Sequence, residues 1–233
     1  MRKSRRRVSL KALYMKQLLS LLAVVAPLLA GAAEFTFEND APGAVPAGFT
    51  SLLGGQGEPG VWAIEIDDSA ARGSRVVTQT NTQVLNYRFP MLIENSISAA
   101  DVDLKVRFKA VAGKIDQAAG LVWRFADTNN YYIVRANALE DNVVLYRVKD
   151  GKREDLKPVG SAATVYGKKV SVPAGHWHTL EVGVRGPRFT VRFNGAELFV
   201  VEDGTFTAAG RIGLWTKADS MTRFDDLQVE IRK

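Results

Sequence analysis

The 233-residue chain has no cysteine and only two histidines. The first absence excludes disulfides, thiolate metal sites, a cysteine nucleophile and a lipoprotein anchor. The second leaves little for a histidine metal centre, because His176 and His178 have no third ligand near them in sequence. There is no legible Ser–His–Asp order, no phosphate-binding loop of the P-loop kind and no H-E-x-x-H run. Internal repeats and convincing amphipathic helices are missing too, SISAADVD holding one helical turn at most.

What is present begins with an address. Residues 1–17 carry seven basic side chains and no acidic one, and LLSLLAVVAPLLA follows from Leu18 to Ala30. Ala30-Gly31-Ala32-Ala33 supplies the small residues a signal peptidase accepts. This is the pattern of an export leader over 1–33, with a mature chain expected to begin near Ala33 or Glu34. The apolar run is short and broken by Pro27, so no membrane span is expected once it is removed. Met15 offers an alternative start, and SRRRVSLK loosely resembles a twin-arginine signal with Ser9 where Phe is usual. The expected location is the periplasm or beyond it.

The leader also explains the charge. Net charge is +6, but the leader holds seven of the 31 basic residues and none of the 25 acidic ones. The remaining 24 and 25 give −1, so the high pI does not imply a nucleic-acid partner. A mature chain of roughly 200 residues is long enough to bury its own core without disulfides.

The rest has a period of two. DVDLKVRFK (101–109) puts Val102, Leu104, Val106 and Phe108 on one face and charges on the other. HTLEVGVR (178–185) and FTVRF (189–193) alternate likewise, and Asn194-Gly195 and Asp150-Gly151 are hairpin turns. Many short antiparallel strands with glycine and asparagine turns predict an all-β fold, a jelly-roll β-sandwich or barrel, as one domain over 34–233. GLVWRF (120–125), NYYIVRAN (130–137) and NVVLYRV (142–148) are apolar in both phases. One phase (Leu121, Trp123, Phe125; Tyr132, Val134, Ala136; Val144, Tyr146, Val148) reads as core. The other, with Arg124, Tyr131, Arg135, Asn137 and Arg147, reads as a shallow bed on a curved sheet. Alternatively it is a second small core beneath the loop at 160–169.

Five stretches carry a resemblance: 61–79, 86–93, 119–153, 172–186 and GRIGLWTKADSMTRFDDLQV (210–229). They resemble the concanavalin A-like lectin/glucanase superfamily, a jelly roll of two curved antiparallel sheets. Within it they are similar to secreted bacterial domains described as laminin-G-like or related to the 3-keto-disaccharide hydrolase domain. The resemblance implies fold and export, and function only loosely, because one fold hosts many activities.

EIDDSA (65–70) is similar to the Glu-Ile-Asp-x-x-Glu run of that superfamily's glucanases, in which the first Glu is nucleophile and the last is acid/base. Here the last position is Ala70, so Glu65 and Asp67 lack the second carboxyl that a retaining mechanism needs. Glu65, Asp67, His176 and His178 remain candidate acids or bases. Asp225 and Asp226, at a break in alternation that suggests a bulge, are candidate calcium ligands, with Glu38, Asn39 and Asp40 adding oxygens if the chain ends pair. Arg124, Tyr131, Arg135, Asn137 and Arg147 are the candidate ligand bed, because sugars lay C–H faces on rings and offer hydroxyls to guanidinium and amide groups. Three functions stay open: an exported carbohydrate-binding domain, a hydrolase or lyase acting on a glycoside such as an oxidised disaccharide, and a packing or adhesion module.

Overall fold

The computed structural model describes residues 31–232. Most of the expected leader lies outside the described residues. Among the described residues there are sixteen strands and no helix. The chain opens with β1 (Ala32–Phe35), β2 (Phe49–Gly55), β3 (Trp62–Ile66) and β4 (Arg75–Gln79). Next come β5 (Arg88–Ala99), β6 (Asp101–Ala112), β7 (Ala118–Asp127), β8 (Asn130–Asn137) and β9 (Asn142–Lys149). Short β10 (Lys152–Asp155) and β11 (Lys168–Lys169) precede β12 (His178–Arg185), β13 (Arg188–Phe193) and β14 (Ala196–Glu202). The chain closes with β15 (Gly210–Trp215) and β16 (Met221–Arg232).

The strands make two antiparallel sheets. The first runs β14-β13-β12-β6-β16-β4-β3, with β1 beside β16. The second runs β10-β9-β8-β7-β15-β5-β2, with β11 beside β9. The first and last strands pair, Ala33 with Val229 and Glu34 with Gln228, so the expected mature start near Ala33 falls inside β1.

Local chemistry explains the hairpins. Asn194 and Gly195 have φ of 50° and 80°, and Asp150 and Gly151 have 49° and 74°. Two successive left-handed residues suit the two-residue hairpin, whose twist matches the flanking strands. Between the sheets, Leu104, Val106 and Phe108 of β6 and Leu180 and Val182 of β12 meet Leu121 and Trp123 of β7 and Val134 of β8. Each such aliphatic side chain contributes about 1.5–3 kcal/mol when fully buried. Among the described residues no helix is long and apolar enough to cross a membrane.

Two backbone irregularities decide which way side chains point. Arg124 has φ of 46°, and the β7–β8 register shifts between Trp123 and Asp127. Asp226 has φ of 50°, and the β16–β6 register shifts between Asp225 and Gln228, the bulge expected from the broken alternation. A bulge inserts a residue and exchanges faces beyond it.

Candidate functional site

The second sheet curls. Arg153 of β10 lies with its guanidinium 4.5 Å from the Tyr146 ring and 5.0 Å from the Phe89 ring of β5. Four strands separate β10 from β5. Laid flat, those strands would hold the two apart by about 24 Å, beyond the reach of an arginine and a phenylalanine together. The outward face of this sheet is therefore a curled trough, and the side chains lining it pack on one another and are buried. Phe89 stacks on Trp215 at 5.4 Å, and Phe125 lies 5.9 Å from Tyr131. Met91, Val122, Ile133 and Val148 complete an apolar cluster separate from the core between the sheets.

Register explains why these residues share a face. Tyr131 is opposite Val148, Ile133 opposite Tyr146, and Arg135 opposite Val144. Gly120 is opposite both Arg135 and Trp215. A Cβ at Gly120 would stand 2.4 Å from Ile133 Cδ1, so glycine is what lets Ile133 lean across the floor.

At one end the trough becomes polar. Arg135 donates to Asn142, to Glu140 at 2.7 Å and to the hydroxyls of Tyr146 and Tyr166, each at 3.1 Å. The two tyrosine hydroxyls also bond each other. Asn137 donates to Asp116 at 2.7 Å and to Glu140 at 3.1 Å, and Lys217 pairs with Asp116 at 2.7 Å. Burial works against the Arg135 charge, but the Tyr146, Glu140 and Tyr166 oxygens outweigh it and hold the guanidinium charged. Burial also tends to raise Glu140, yet Arg135 and Asn142 bring its carboxyl below the usual range. Burial pushes the Tyr146 phenol well up, with the Arg135 charge acting the other way. The group thus presents an ionised carboxylate beside a protonated phenol.

Along the trough, four buried polar atoms have no hydrogen-bond partner among the described residues: Tyr131 Oη, Trp215 Nε1, Arg135 Nε and Arg153 Nη1. Burial raises the Tyr131 phenol to about 12, so it keeps its proton. The Trp215 indole N–H is its neighbour and is itself a donor, which leaves the Tyr131 proton without an acceptor. An unpaired buried donor costs about 1–3 kcal/mol.

Of the five residues expected to form a ligand bed, three share this face: Tyr131, Arg135 and Asn137, all buried. The other two are elsewhere. The bulge turns Arg124 toward the sandwich edge, where it donates to the carbonyls of Ala100, Phe206 and Gly186 and lies 5.6 Å over Phe189 of the main core. Arg147 follows Val143 and Leu145 onto the core side and binds Asp203 (2.8 Å), Thr205 and Glu154. The phase expected for β9 is one residue off: Val144, Tyr146 and Val148 face the trough, not the main core. The loop at 160–169 delivers Tyr166 onto this cluster, so the polar bed and the second small core are one place. Missed by sequence were Trp215, Phe89, Glu140 and Arg153. GRIGLW, apolar in both phases like its neighbours, was the available signal for Trp215.

The remaining acid and base candidates belong to the first sheet. Asp67 accepts from Lys109, from Arg223 at 2.9 Å and from Ser69, and Glu65 accepts from Thr78 at 2.9 Å and Arg223 at 3.3 Å. Trp177 donates to Ser69 Oγ at 3.2 Å, under Lys109. His178 is buried and stacks on Phe193 at 5.2 Å; its Nε2 donates to Pro173 O and its Nδ1 accepts from Asn194. His176 is exposed in the preceding turn. The two histidines do not share a face, and none of these four joins Arg135.

Asp225 is buried and accepts from the backbone amides of Arg72 (2.7 Å) and Asp226 (2.7 Å). Asp226 accepts from Gln228 at 3.1 Å. Glu38 and Asp40 bind loop amides, at Ser74 and Ala47. Among the described residues no group of three or more acidic or histidine side chains is placed to hold a metal ion. Burial raises the Asp225 carboxyl from 3.8 to about 6, with the Asp226 and Glu38 charges adding to it against the two amides. A raised carboxyl stabilises the fold while the native state keeps a proton the unfolded chain has lost. Its contribution is full below the unfolded value and disappears as pH rises through the folded one. Stability to urea should therefore fall by on the order of 2–3 kcal/mol between pH 4 and 7 from this group, and Asp225→Asn should flatten that slope. Equal slopes for the two proteins would refute the assignment.

Comparison with known proteins adds the family. A comparison with curated protein sequences finds no match. Among solved structures, the carbohydrate-binding module CBM66 from Bacillus subtilis has a TM-score of 0.59 at 18% identity, covering 78% of this chain and 95% of that one. The cellulose-induced protein Cip1 has a TM-score of 0.57 at 13% identity, with 86% and 97% covered. Domain 4 of AbnA, an extracellular GH43 arabinanase from Geobacillus stearothermophilus in complex with arabinotriose, has 0.53 at 16% identity, with 85% and 91% covered. At these identities the likeness is one of fold, and it is the expected jelly-roll sandwich of two curved sheets. The profile of the 3-keto-alpha-glucoside-1,2-lyase-like domain matches residues 48–230, from just before β2 to within β16, and the chain belongs to that family.

Proposed function

We propose that the protein is an exported carbohydrate-binding domain whose ligand lies along the curled face of the second sheet. The observation that carries this is the set of unpartnered polar atoms on an aromatic surface: Tyr131 Oη, Trp215 Nε1, Arg135 Nε and Arg153 Nη1. A sugar meets both needs at once. Its hydroxyls satisfy buried donors and its C–H faces lie on an exposed ring such as Tyr166. Export is supported by the basic, apolar and small-residue pattern of 1–33. The test is a glycan array spanning plant, bacterial and algal oligosaccharides. Wild type should show saturable binding, and Tyr166→Ala should weaken it about tenfold in a protein that still unfolds cooperatively, because Tyr166 is on an exposed loop. A blank array, or binding indifferent to Tyr166→Ala and Glu140→Gln, would end the proposal.

A second reading, favoured by family membership, is catalysis in the same place. In a 3-keto glycoside the ketone acidifies the C2 proton. Glu140, held ionised beside Arg135, is positioned to take such a proton, and the Tyr146–Tyr166 pair to protonate the departing oxygen. The C2–H pair becomes the C1–C2 double bond as the C1–O bond breaks. Glu140→Gln would then abolish release of alcohol from a methyl 3-keto-glucoside, a loss far larger than its effect on binding.

A further inference from the structure

Arg153 makes no side-chain hydrogen bond and no ion pair with any described residue, although one of its terminal nitrogens is buried. Its neighbours are rings, with Tyr146 at 4.5 Å and Phe89 at 5.0 Å. The carboxylates of its own region are taken. Glu154 pairs with Arg147 at 2.6 Å, Asp155 with Lys157 at 2.5 Å, and Glu140 with Arg135 at 2.7 Å. Arg211, 5.1 Å over Phe125 on the same face, also has no carboxylate within 4 Å among the described residues.

The unpartnered groups beside Arg153 are donors. Trp215 Nε1 can only donate, and the Tyr131 hydroxyl keeps its proton with no acceptor. Trp215 stacks on Phe89, the ring under Arg153, and the Arg153 charge reaches both Tyr131 and Tyr146. A neutral sugar hydroxyl both donates and accepts, and it leaves the half-buried Arg153 guanidinium without a counter-charge. A planar or tetrahedral oxyanion accepts from several donors and supplies the missing charge, and the guanidinium fork matches it geometrically.

Resting on the carbohydrate reading, we propose that the trough is selective for an acidic saccharide, whose carboxylate or sulfate sits on Arg153 between the Tyr146 and Phe89 rings with Tyr131 and Trp215 completing the oxyanion seat. The ligand enters at β10, a four-residue strand paired on one side only, with β9.

The experiment uses the full chain and three matched probes: methyl glucoside, methyl glucuronide and methyl glucoside 6-sulfate. Binding is read by calorimetry and tryptophan fluorescence at two salt concentrations. At least one anionic probe should bind tenfold or more tighter than the neutral one, with a preference that shrinks in high salt. The better anion identifies the source as uronate or sulfate ester. Arg153→Gln should erase the preference, and Tyr131→Phe, which removes only an unsatisfied buried hydroxyl, should reduce it several-fold in a protein whose melting temperature does not fall. Equal affinity for neutral and charged probes overturns the inference and leaves the carbohydrate reading standing. So does a preference that survives Arg153→Gln. Failure of all three probes overturns it too, and the glycan array separately decides whether carbohydrate binding falls with it.

Discussion

Arg88→Met should destabilise the protein by about 3–5 kcal/mol, because four buried carbonyls lose their donor. Arg88 opens β5 and is completely buried. Its guanidinium donates to four backbone carbonyls: Glu58 at 2.7 Å, Asn81 at 3.2 Å, Ala218 at 2.5 Å and Pro59 at 3.1 Å. No carboxylate lies within 4 Å among the described residues, so one cation ties three loops together through carbonyl dipoles alone. Methionine keeps much of the stem and removes every donor, leaving four carbonyls without their partner at about 1 kcal/mol or more each. For a domain of this size the melting temperature should drop by roughly 10 °C. Urea unfolding with an unchanged slope would place the loss in the native state. A loss under about 1 kcal/mol would mean that water replaces the guanidinium, and that the loops do not depend on it.

Asp67→Asn is the second large effect. Asp67 and Lys109 are both buried and bonded, and Arg223 adds its own bond to the same carboxylate. Burial alone would raise the Asp67 carboxyl, but the bonds from Lys109, Ser69 and Arg223 outweigh it and hold it far below the usual range. Its contribution is present at any pH above the unfolded carboxylate value and is lost as pH falls toward the folded one. Neutralising it leaves Lys109 buried without its counter-charge, a cost of about 3 kcal/mol at pH 7. Wild type should lose this advantage progressively in acid, so the gap between the two proteins' unfolding midpoints begins to narrow below about pH 4 and keeps narrowing as pH falls further. A gap that stays constant down to about pH 2 would show that the fold does not hold the Asp67 carboxyl below its unfolded value. EIDDSA is on this reading a fastening of the 67–74 loop to the first sheet. Arg72 N on Asp225 and the Arg72 guanidinium on Glu34 secure the same loop further along.

How much was legible varies with the range of the interaction. DVDLKVRFK pointed its apolar side chains inward as its alternation demands, because β6 is unbroken between its neighbours. Asn194-Gly195 turned where expected because the left-handed pair is a local preference. The bed failed where one residue of slip matters. Arg124 sits in a bulge, and nothing in GLVWRF marks its φ as positive. Arg147 left because β9 is apolar in both phases, so alternation could not choose between Val143-Leu145 and Val144-Tyr146 as the core side. Glu140 and Arg153 were invisible because each acquires its meaning from a partner on another strand.

The sequence alone was sufficient for the class of fold, the positions of strands and turns, and the family likeness. Those rest on side-chain alternation and backbone preferences that act over a few residues. Only the folded sheet decided the site. Its curl carries Arg153 across to Phe89, and two bulges choose which side chains follow. Both arise from packing between strands distant in the chain, and no local pattern encodes them.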